Sequence, residues 1–215
     1  MARTRKPTRF WDRAWILALV IALVVQPFPA AAMEGTGNPG DPYIIENQAD
    51  LEAIPTLGLD KHYKLGNDIM LTGNWRPIGT SGSPFTGHFD GGGYKISGLN
   101  IVIKDNMPET LVLDTEHVGL FGYAQNAVIE NVTLDSPTVG YDGLISTNKT
   151  GALLGSGVNT KISKVNVNGG SVSGVHVVGG LAGELVGNSE IRESSSSAGV
   201  SIVNWKPKGT GGLIG

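Results

Sequence analysis

The side chains that could bind a metal ion or act as nucleophiles are scattered along this sequence. The four histidines are His62, His88, His117 and His176. Their intervals exclude the His-x-x-x-His spacing by which one helix face holds zinc. The chain contains neither a Gly-x-Ser-x-Gly nucleophile elbow nor a phosphate-binding P-loop. We therefore predict no catalytic residue, no metal site and no cofactor.

Two short patterns resemble binding motifs, and each has a simpler explanation. Residues 35–40 match the dinucleotide fingerprint Gly-x-Gly-x-x-Gly, but Asp41 and Pro42 follow where the fingerprint requires a helix. Asp90 precedes three glycines, which indicates a tight turn rather than a calcium ligand. Carboxylates from distant parts of the chain could still meet in the fold, as the acid pairs of glycoside hydrolases do.

A glycine-flanked phrase recurs along the chain at similar intervals. Its copies are Val118–Gly122, Gly151–Gly155, Gly179–Gly183 and Gly211–Gly215. An apolar-alternating run follows each of the first three copies. A period near 30 residues is typical of a solenoid, in which each repeat buries its apolar side against its neighbours. The alternative is an antiparallel sandwich of hairpins, which would not require a recurring phrase.

The repeat predicts which side chains face a shared interior. One strand per coil would contribute the phrase leucines, Leu120, Leu153 or Leu154, Leu181 and Leu213. A second strand would stack Ile129 and Val132 on Ile162 and Val165, and a third would stack Val139, Val172 and Val200. We expect the phrase glycines to lie at corners where φ is positive, because glycine adopts that backbone at little cost.

The first 32 residues have the composition of a targeting segment. Five Lys and Arg residues precede an unbroken apolar run over residues 14–25, and three alanines end at Ala32. This order is typical of a secretory signal peptide, here cleaved after Ala32. The alternative of an uncleaved anchor is less favoured, since the 12 apolar residues are fewer than the roughly 20 that span a bilayer.

Charge and cysteine content restrict the partners of the remaining chain. Residues 33–215 hold 11 Lys and Arg against 18 Asp and Glu, a net charge of −7. An acidic chain without a basic stripe argues against a nucleic-acid partner. The absence of cysteine excludes a disulfide framework. We expect an exported protein, extracellular or at the cell surface, with no membrane span after cleavage.

We predict three parts in the chain. Residues 1–32 are the signal peptide, 33–117 an N-terminal cap with the first coils, and 118–215 the glycine-repeat coils. A short helix over residues 47–54, with Asn47 as N-cap and with Leu51 and Ile54 facing inward, would cover the open end of the coils. The last phrase ends at Gly215, so we expect truncation there or an end-to-end contact through the uncapped C-terminal coil.

The segments Phe85–Leu99 and Asn74–Gly79 and the repeated phrase resemble the GLUG-motif repeats of bacterial exported and surface proteins. The resemblance covers most of residues 41–215, although residues 151–155 depart from the phrase. It implies a right-handed parallel β-helix. Such repeats also occur beside the peptidase domain of M26 immunoglobulin-A-protease-like proteins. The zinc motif His-Glu-x-x-His of that peptidase does not occur in this chain, so its activity is not implied.

The connections between repeats differ in length, and the longer ones carry aromatic residues. The polar insertions are residues 104–117, 140–149 and 203–210, each just before a glycine phrase. Insertions at one phase of a solenoid lie on one side of it, which is often the binding side. We predict that Trp75, Tyr141 and Trp205 line an edge that could stack on sugars or contact a protein. The alternative is that these rings only pack the loops onto the coils.

These observations favour a non-enzymatic β-solenoid that serves as a structural, adhesive or display module. Its expected partners are a surface glycan or a host or matrix protein. One alternative is a polysaccharide-active β-helix enzyme, which a groove with clustered acidic and basic residues would favour. Another is the non-catalytic N-terminal part of a larger exported M26-like peptidase.

Overall fold

The chain is built almost entirely of short parallel β-strands. The structure is a computed structural model that describes residues 33–104, 116–142, 149–203 and 209–215. The predicted signal peptide, residues 1–32, lies outside the described residues. The described residues belong to one compact unit, Met33–Gly215. All pairings between the named strands are parallel, which excludes the antiparallel sandwich.

The described strands form five sheets, which we number in the order in which the chain enters them. The first sheet contains β1 (Tyr43–Ile45), β2 (His62–Leu65), β4 (His88–Asp90), β9 (Val128–Glu130), β14 (Lys161–Ser163) and β19 (Glu190–Arg192). The second contains β3 (Ile69–Met70), β5 (Lys95–Ser97), β10 (Thr133–Asp135), β15 (Asn166–Asn168) and β20 (Ser195–Ser196). The third contains β6 (Asn100–Lys104), β11 (Thr138–Asp142), β16 (Ser171–Gly174) and β21 (Gly199–Ile202). The fourth contains β7 (His117–Val118), β12 (Lys149–Gly151), β17 (Val177–Gly179) and β22 (Gly209–Gly211). The fifth contains β8 (Phe121–Gln125), β13 (Leu154–Val158) and β18 (Ala182–Val186).

From β4 onwards consecutive strands belong to successive sheets, so the chain passes through all five sheets before it returns to the first. Strands β4 to β8 make one such pass, and β9 then returns to the first sheet beside β4. Strands β9 to β13 and β14 to β18 repeat the pass. Each pass is therefore one rung of a stack, and neighbouring rungs are joined by parallel backbone hydrogen bonds.

Apolar side chains form continuous rows inside this stack. In the first sheet Ile129 pairs with Ile162, and both are buried. In the third sheet Val139 pairs with Val172, and Val172 with Val200. These pairings confirm the predicted rows of Ile129 and Val139. Val132 and Val165 are buried as predicted, but the prediction that they share a strand with the isoleucines is wrong, because β9 and β14 end before them. Burial of each such side chain contributes about 1.5–3 kcal/mol to folding, which makes these rows the main source of stability.

The phrase leucines stack at the corner between the fourth and fifth sheets. The N–H of Leu153 donates to Leu181 O at 2.9 Å, and the N–H of Leu181 donates to Leu213 O at 3.0 Å. Leu120 lies one rung earlier, since the N–H of the next residue donates to Leu153 O at 2.8 Å. The leucines thus occupy equivalent positions in successive rungs, as predicted. They lie between strands rather than within one, and Leu153, not Leu154, continues the stack.

The prediction that the phrase glycines adopt a positive φ is wrong, because none of these glycines has one. Glycine is required there by close approach. A Cβ added at Gly155 would lie 2.5 Å from Val118 N and 2.7 Å from Gly122 O. One added at Gly183 would lie 2.6 Å from Thr150 N in the fourth sheet. The main chains of the fourth and fifth sheets therefore pack directly against each other, which only a residue without a side chain allows.

Positive φ occurs at several other corners among the described residues, often without glycine. Between the first and second sheets, Asn131, Lys164 and Glu193 have φ of 56°, 53° and 47°. The left-handed backbone costs roughly 1–2 kcal/mol for an ordinary L-residue and less for asparagine. The same bend in three successive rungs keeps the strands on either side in register.

A pair of short helices covers the first rung. They are α1 (Gln48–Glu52) and α2 (Ile54–Leu57). The side chain of Asn47 accepts a hydrogen bond from Asp50 N at 3.2 Å, which confirms the predicted N-cap. Leu51 and Ile54 are fully buried beneath the helices, also as predicted.

Gln48 of α1 satisfies the exposed backbone edge that follows β3. Its Oε1 accepts from Thr72 N at 2.8 Å, and its Nε2 donates to Thr72 O at 3.2 Å. One side-chain amide thus makes both hydrogen bonds that a further strand would make at this residue. Satisfied in this way, the edge is less able to pair with another chain.

We expect Gly155→Ala to lower the free energy of unfolding by about 1–3 kcal/mol, because the new methyl group would overlap fixed backbone atoms. Gly82 is the control, since a Cβ there would meet no atom within 4 Å. Chemical denaturation of the two variants measures the difference. Equal midpoints would contradict the close packing of the fourth and fifth sheets.

Lys164→Asn should raise the free energy of unfolding by about 0.5–1 kcal/mol, because asparagine tolerates the left-handed backbone better than lysine does. Asn131 already occupies the equivalent corner one rung earlier. Lys161→Asn, on the adjacent strand β14, removes the same charge without the φ benefit and should not stabilise. A gain shared by both variants would assign the effect to charge instead.

Candidate binding cleft

Trp75 is a core residue rather than an exposed stacking surface. Its side chain is only 5% exposed. Its indole Nε1–H donates to Leu120 O at 3.1 Å, and its backbone N–H donates to Asn100 O at 2.7 Å. Both bonds join the segment that follows β3 to the next rung. Trp75 therefore packs its segment onto the coils, which is the alternative to a place on an exposed binding edge.

The other two aromatic residues of the predicted edge cannot be compared with Trp75. Trp205 lies outside the described residues, and so does the side chain of Tyr141, whose backbone is in β11. The flanking strands do place the predicted insertions. All three connect the third sheet to the fourth, in successive passes of the chain. The strands that bound the insertions therefore meet at one corner of the stack, as the spacing predicted, while the binding role of this edge stays a prediction.

A cleft of about 460 Å³ lies between the capping helices and the segment that carries Trp75. One wall comes from the helices and the residues after them, the other from residues 74–80 and Ser83. The apolar part of the lining is Pro55, Leu59, Trp75, Pro77 and Ile78. The polar part includes Glu52, Thr56, Asn74, Arg76, Thr80 and Ser83. Mixed apolar and polar lining in a concave site of this size is typical of small-ligand sites.

The outward side of the first sheet brings together charged residues from successive rungs. His88 Nε2 lies 2.8 Å from Glu130 Oε1, and Ser163 Oγ donates to Glu130 Oε2 at 3.1 Å. Glu130 therefore bridges three rungs. The serine contacts the carboxylate and not the imidazole, so this set lacks the base-to-hydroxyl contact that activates a nucleophile.

Asp90 lies beside Glu130 in the same sheet, directly across the ladder. Its Oδ1 accepts from Gly92 N at 2.8 Å, which confirms the predicted turn, and from Asn131 Nδ2 at 2.9 Å. Its Oδ2 lies 3.9 Å from Lys64 Nζ. Asp90 also borders a shallow groove of about 490 Å³ that Lys164 lines on the far side. Two carboxylates and two lysines thus lie on neighbouring rungs.

His62 is placed next to His88, although 26 residues separate them in the sequence. Their ring centroids are 5.2 Å apart, edge to face. Burial, and secondarily the charge of His88, lower the pKa of His62 below its ordinary value. Sequence reasoning missed this pair, since the interval is shorter than the glycine period and only the pairing of β2 with β4 reveals it.

No group of three or more potential metal ligands occurs among the described residues. The residues that the structure describes also contain no helix long and apolar enough to cross a membrane. His117 and His176 lie in or beside strands of the fourth sheet, away from the two paired histidines.

The chain is similar to parts of two much longer proteins. Over 118 residues it is 32% identical to a protein of Evansella cellulosilytica provisionally named a Gly-rich membrane protein. Over 167 residues it is 32% identical to halomucin of Haloquadratum walsbyi. The matches cover 51% and 70% of this chain, but only 13% and 2% of the relatives. No protein-family model matches the chain.

Among solved structures, the fold is similar to a Bacteroides ovatus protein provisionally named an immunoglobulin A1 protease. The similarity covers 84% of this chain and 73% of that one, with 15% identity and a TM-score of 0.41. At that TM-score the similarity supports no conclusion about this chain.

The lowered pKa of His62 predicts a loss of stability in acid. Below about pH 6.5 the unfolded chain binds a proton at this residue more readily than the folded chain does, so the free energy of unfolding falls as the pH falls. An NMR titration of the His62 ring should give a pKa below 6.5. In the His88→Gln variant the pKa of His62 should lie between its value in the unmodified protein and 6.5, because the charge of His88 is removed while the burial of His62 remains. A His62 pKa at or above 6.5 in the unmodified protein would contradict this assignment.

Proposed function

We propose that the chain is an exported right-handed parallel β-helix that acts as a structural, adhesive or display module at the cell surface. The observation that carries this proposal is the stack of five parallel sheets around one apolar interior, closed at the N-terminal end by helices. Such a stack is rigid and presents outward side chains at fixed spacing, as solenoid binding surfaces do. We further propose that its coils are GLUG-type repeats.

Two observations support a location outside the cytoplasm. The N-terminal segment has the order of a signal peptide. Of the two relatives, one is named as a membrane protein and the other as a halomucin. The proposed partners are a surface glycan or a host or matrix protein.

Export can be tested on the full chain with a C-terminal epitope tag, expressed in a bacterial host. We expect the tagged protein outside the cytoplasm, with a new N-terminus at Met33 shown by intact mass. Leu19→Arg, which interrupts the apolar run, is the matched control and should leave the protein uncleaved inside the cell. Cytoplasmic retention of the unmodified chain with residues 1–32 still attached would contradict the proposal.

A second candidate function, cleavage of a polysaccharide, is favoured by one observation. Asp90 and Glu130 are direct neighbours across the ladder, and a pair of carboxylates is what retaining and inverting glycosidases use. Against it, Asp90 Oδ1 and both oxygens of Glu130 already accept or face hydrogen-bonding groups. We therefore assign these residues to joining rungs and rank catalysis second.

An assay for reducing or unsaturated sugars over a panel of polysaccharides distinguishes the two functions. A module should release no product, and Asp90→Asn and Glu130→Gln should then change only stability. Product release that both variants abolish, with the fold intact by circular dichroism, would establish the enzyme instead.

A further inference from the structure

The cleft beside the capping helices contains backbone groups that no described residue satisfies. Backbone N–H and C=O groups are strong hydrogen-bonding groups, so those without a protein partner can bond to a ligand that enters the cleft. We propose that this cleft binds the acetamido group of an N-acetylated sugar. The inference deepens the proposed surface module by naming the kind of glycan that it would bind, and it rests on that function only for its biological setting.

The first step concerns the unpaired groups. Trp75 N–H and Ile78 N–H donate to the next rung, at 2.7 Å to Asn100 O and 3.0 Å to Leu120 O. The N–H of Arg76, which lines the cleft, has no acceptor among the described residues, and the carbonyls of Trp75, Arg76 and Pro77 have no donor there. The N–H of Gly79 is also unpaired within the described part of the chain. Donors and acceptors of the same segment are thus available together.

The second step is an internal precedent on the same edge. Three residues before Trp75, the amide of Gln48 accepts from Thr72 N and donates to Thr72 O. The side-chain amide of Gln48 therefore satisfies both backbone groups of Thr72 on this edge. An acetamido group carries the same donor and acceptor, so it can make the same two bonds with the segment at Arg76.

The third step excludes a peptide that would add a strand. Strand addition requires donors and acceptors that recur at every second residue. Pro77 has no N–H, and the unpaired donors at Arg76 and Gly79 are three residues apart. Proline on an edge is also a common protection against strand pairing. The edge can thus pair with one amide but not with an extended ladder.

The fourth step concerns the rest of the ligand. Pro55, Leu59 and Pro77 give the cleft an apolar wall for a methyl group and for the C–H face of a sugar ring. Thr80 and Ser83 are hydroxyl residues of the lining that can exchange hydrogen bonds with sugar hydroxyls. A volume of about 460 Å³ lies within the range of small-ligand sites and suits one or two sugar units.

The test uses N,N′-diacetylchitobiose as the ligand and cellobiose as the matched sugar without acetamido groups. Each is titrated into the purified chain, with amide NMR shifts and calorimetry as readouts. We expect chitobiose to shift the amide signals of Arg76 and Gly79 and to bind at least tenfold more tightly than cellobiose. Thr56→Trp, which fills the cleft from α2, should weaken binding at least tenfold. Thr138→Trp, on the exposed side of the third sheet, should leave it unchanged.

Several results would overturn the proposal. They are no chitobiose shift at saturating ligand, equal binding of cellobiose, or equal binding by the Thr56→Trp and Thr138→Trp variants with both folded by their amide spectra. A short polyalanine peptide that shifts the same amides and displaces chitobiose would assign the cleft to a protein partner instead. The export experiment tests the surface role without any sugar. A chain that is exported but does not bind chitobiose would therefore overturn only the sugar site.

Discussion

The fold depends on the direct contact between the main chains of the fourth and fifth sheets. At Gly155 and Gly183 a single methyl group would overlap backbone atoms of the neighbouring rung. This contact brings the chain through a sharp bend with only two residues between β7 and β8. It also fixes the phrase leucines at the corner, where they fill the interior that the bend encloses. The remaining sheets can vary in loop length because this corner repeats in each rung.

Much of the interior could be predicted from periodicity, because stacking requires like residues at like positions. The rows through Ile129 and Ile162 and through Val139 and Val172 follow directly from the repeat. The helix cap at Asn47 was equally predictable, since its hydrogen bond is local. The role of the phrase glycines was not, because a close approach between rungs and a left-handed turn both select glycine. The corner residue Lys164 shows that φ does not follow from residue type alone.

The polar features were less predictable, since they depend on how long each rung is. His62 and His88 become neighbours because one rung happens to be shorter than the glycine period. Glu130 bridges residues from rungs on both sides, which no local pattern in the sequence indicates. The candidate cleft lies between the two capping helices and residues 74–80, which form no strand. Trp75 signalled this region in the sequence, but its burial assigns it a structural role in the cleft floor.

The arrangement of the insertions has a consequence for how the protein can change over time. Each of them is bounded by strands that pair with a neighbouring rung, while β16 and β17 make the same connection with two residues. The length of that connection is therefore independent of the register of the stack. Mutation can lengthen, shorten or exchange these segments one at a time without refolding the scaffold, so new surface properties can be acquired at little cost in stability.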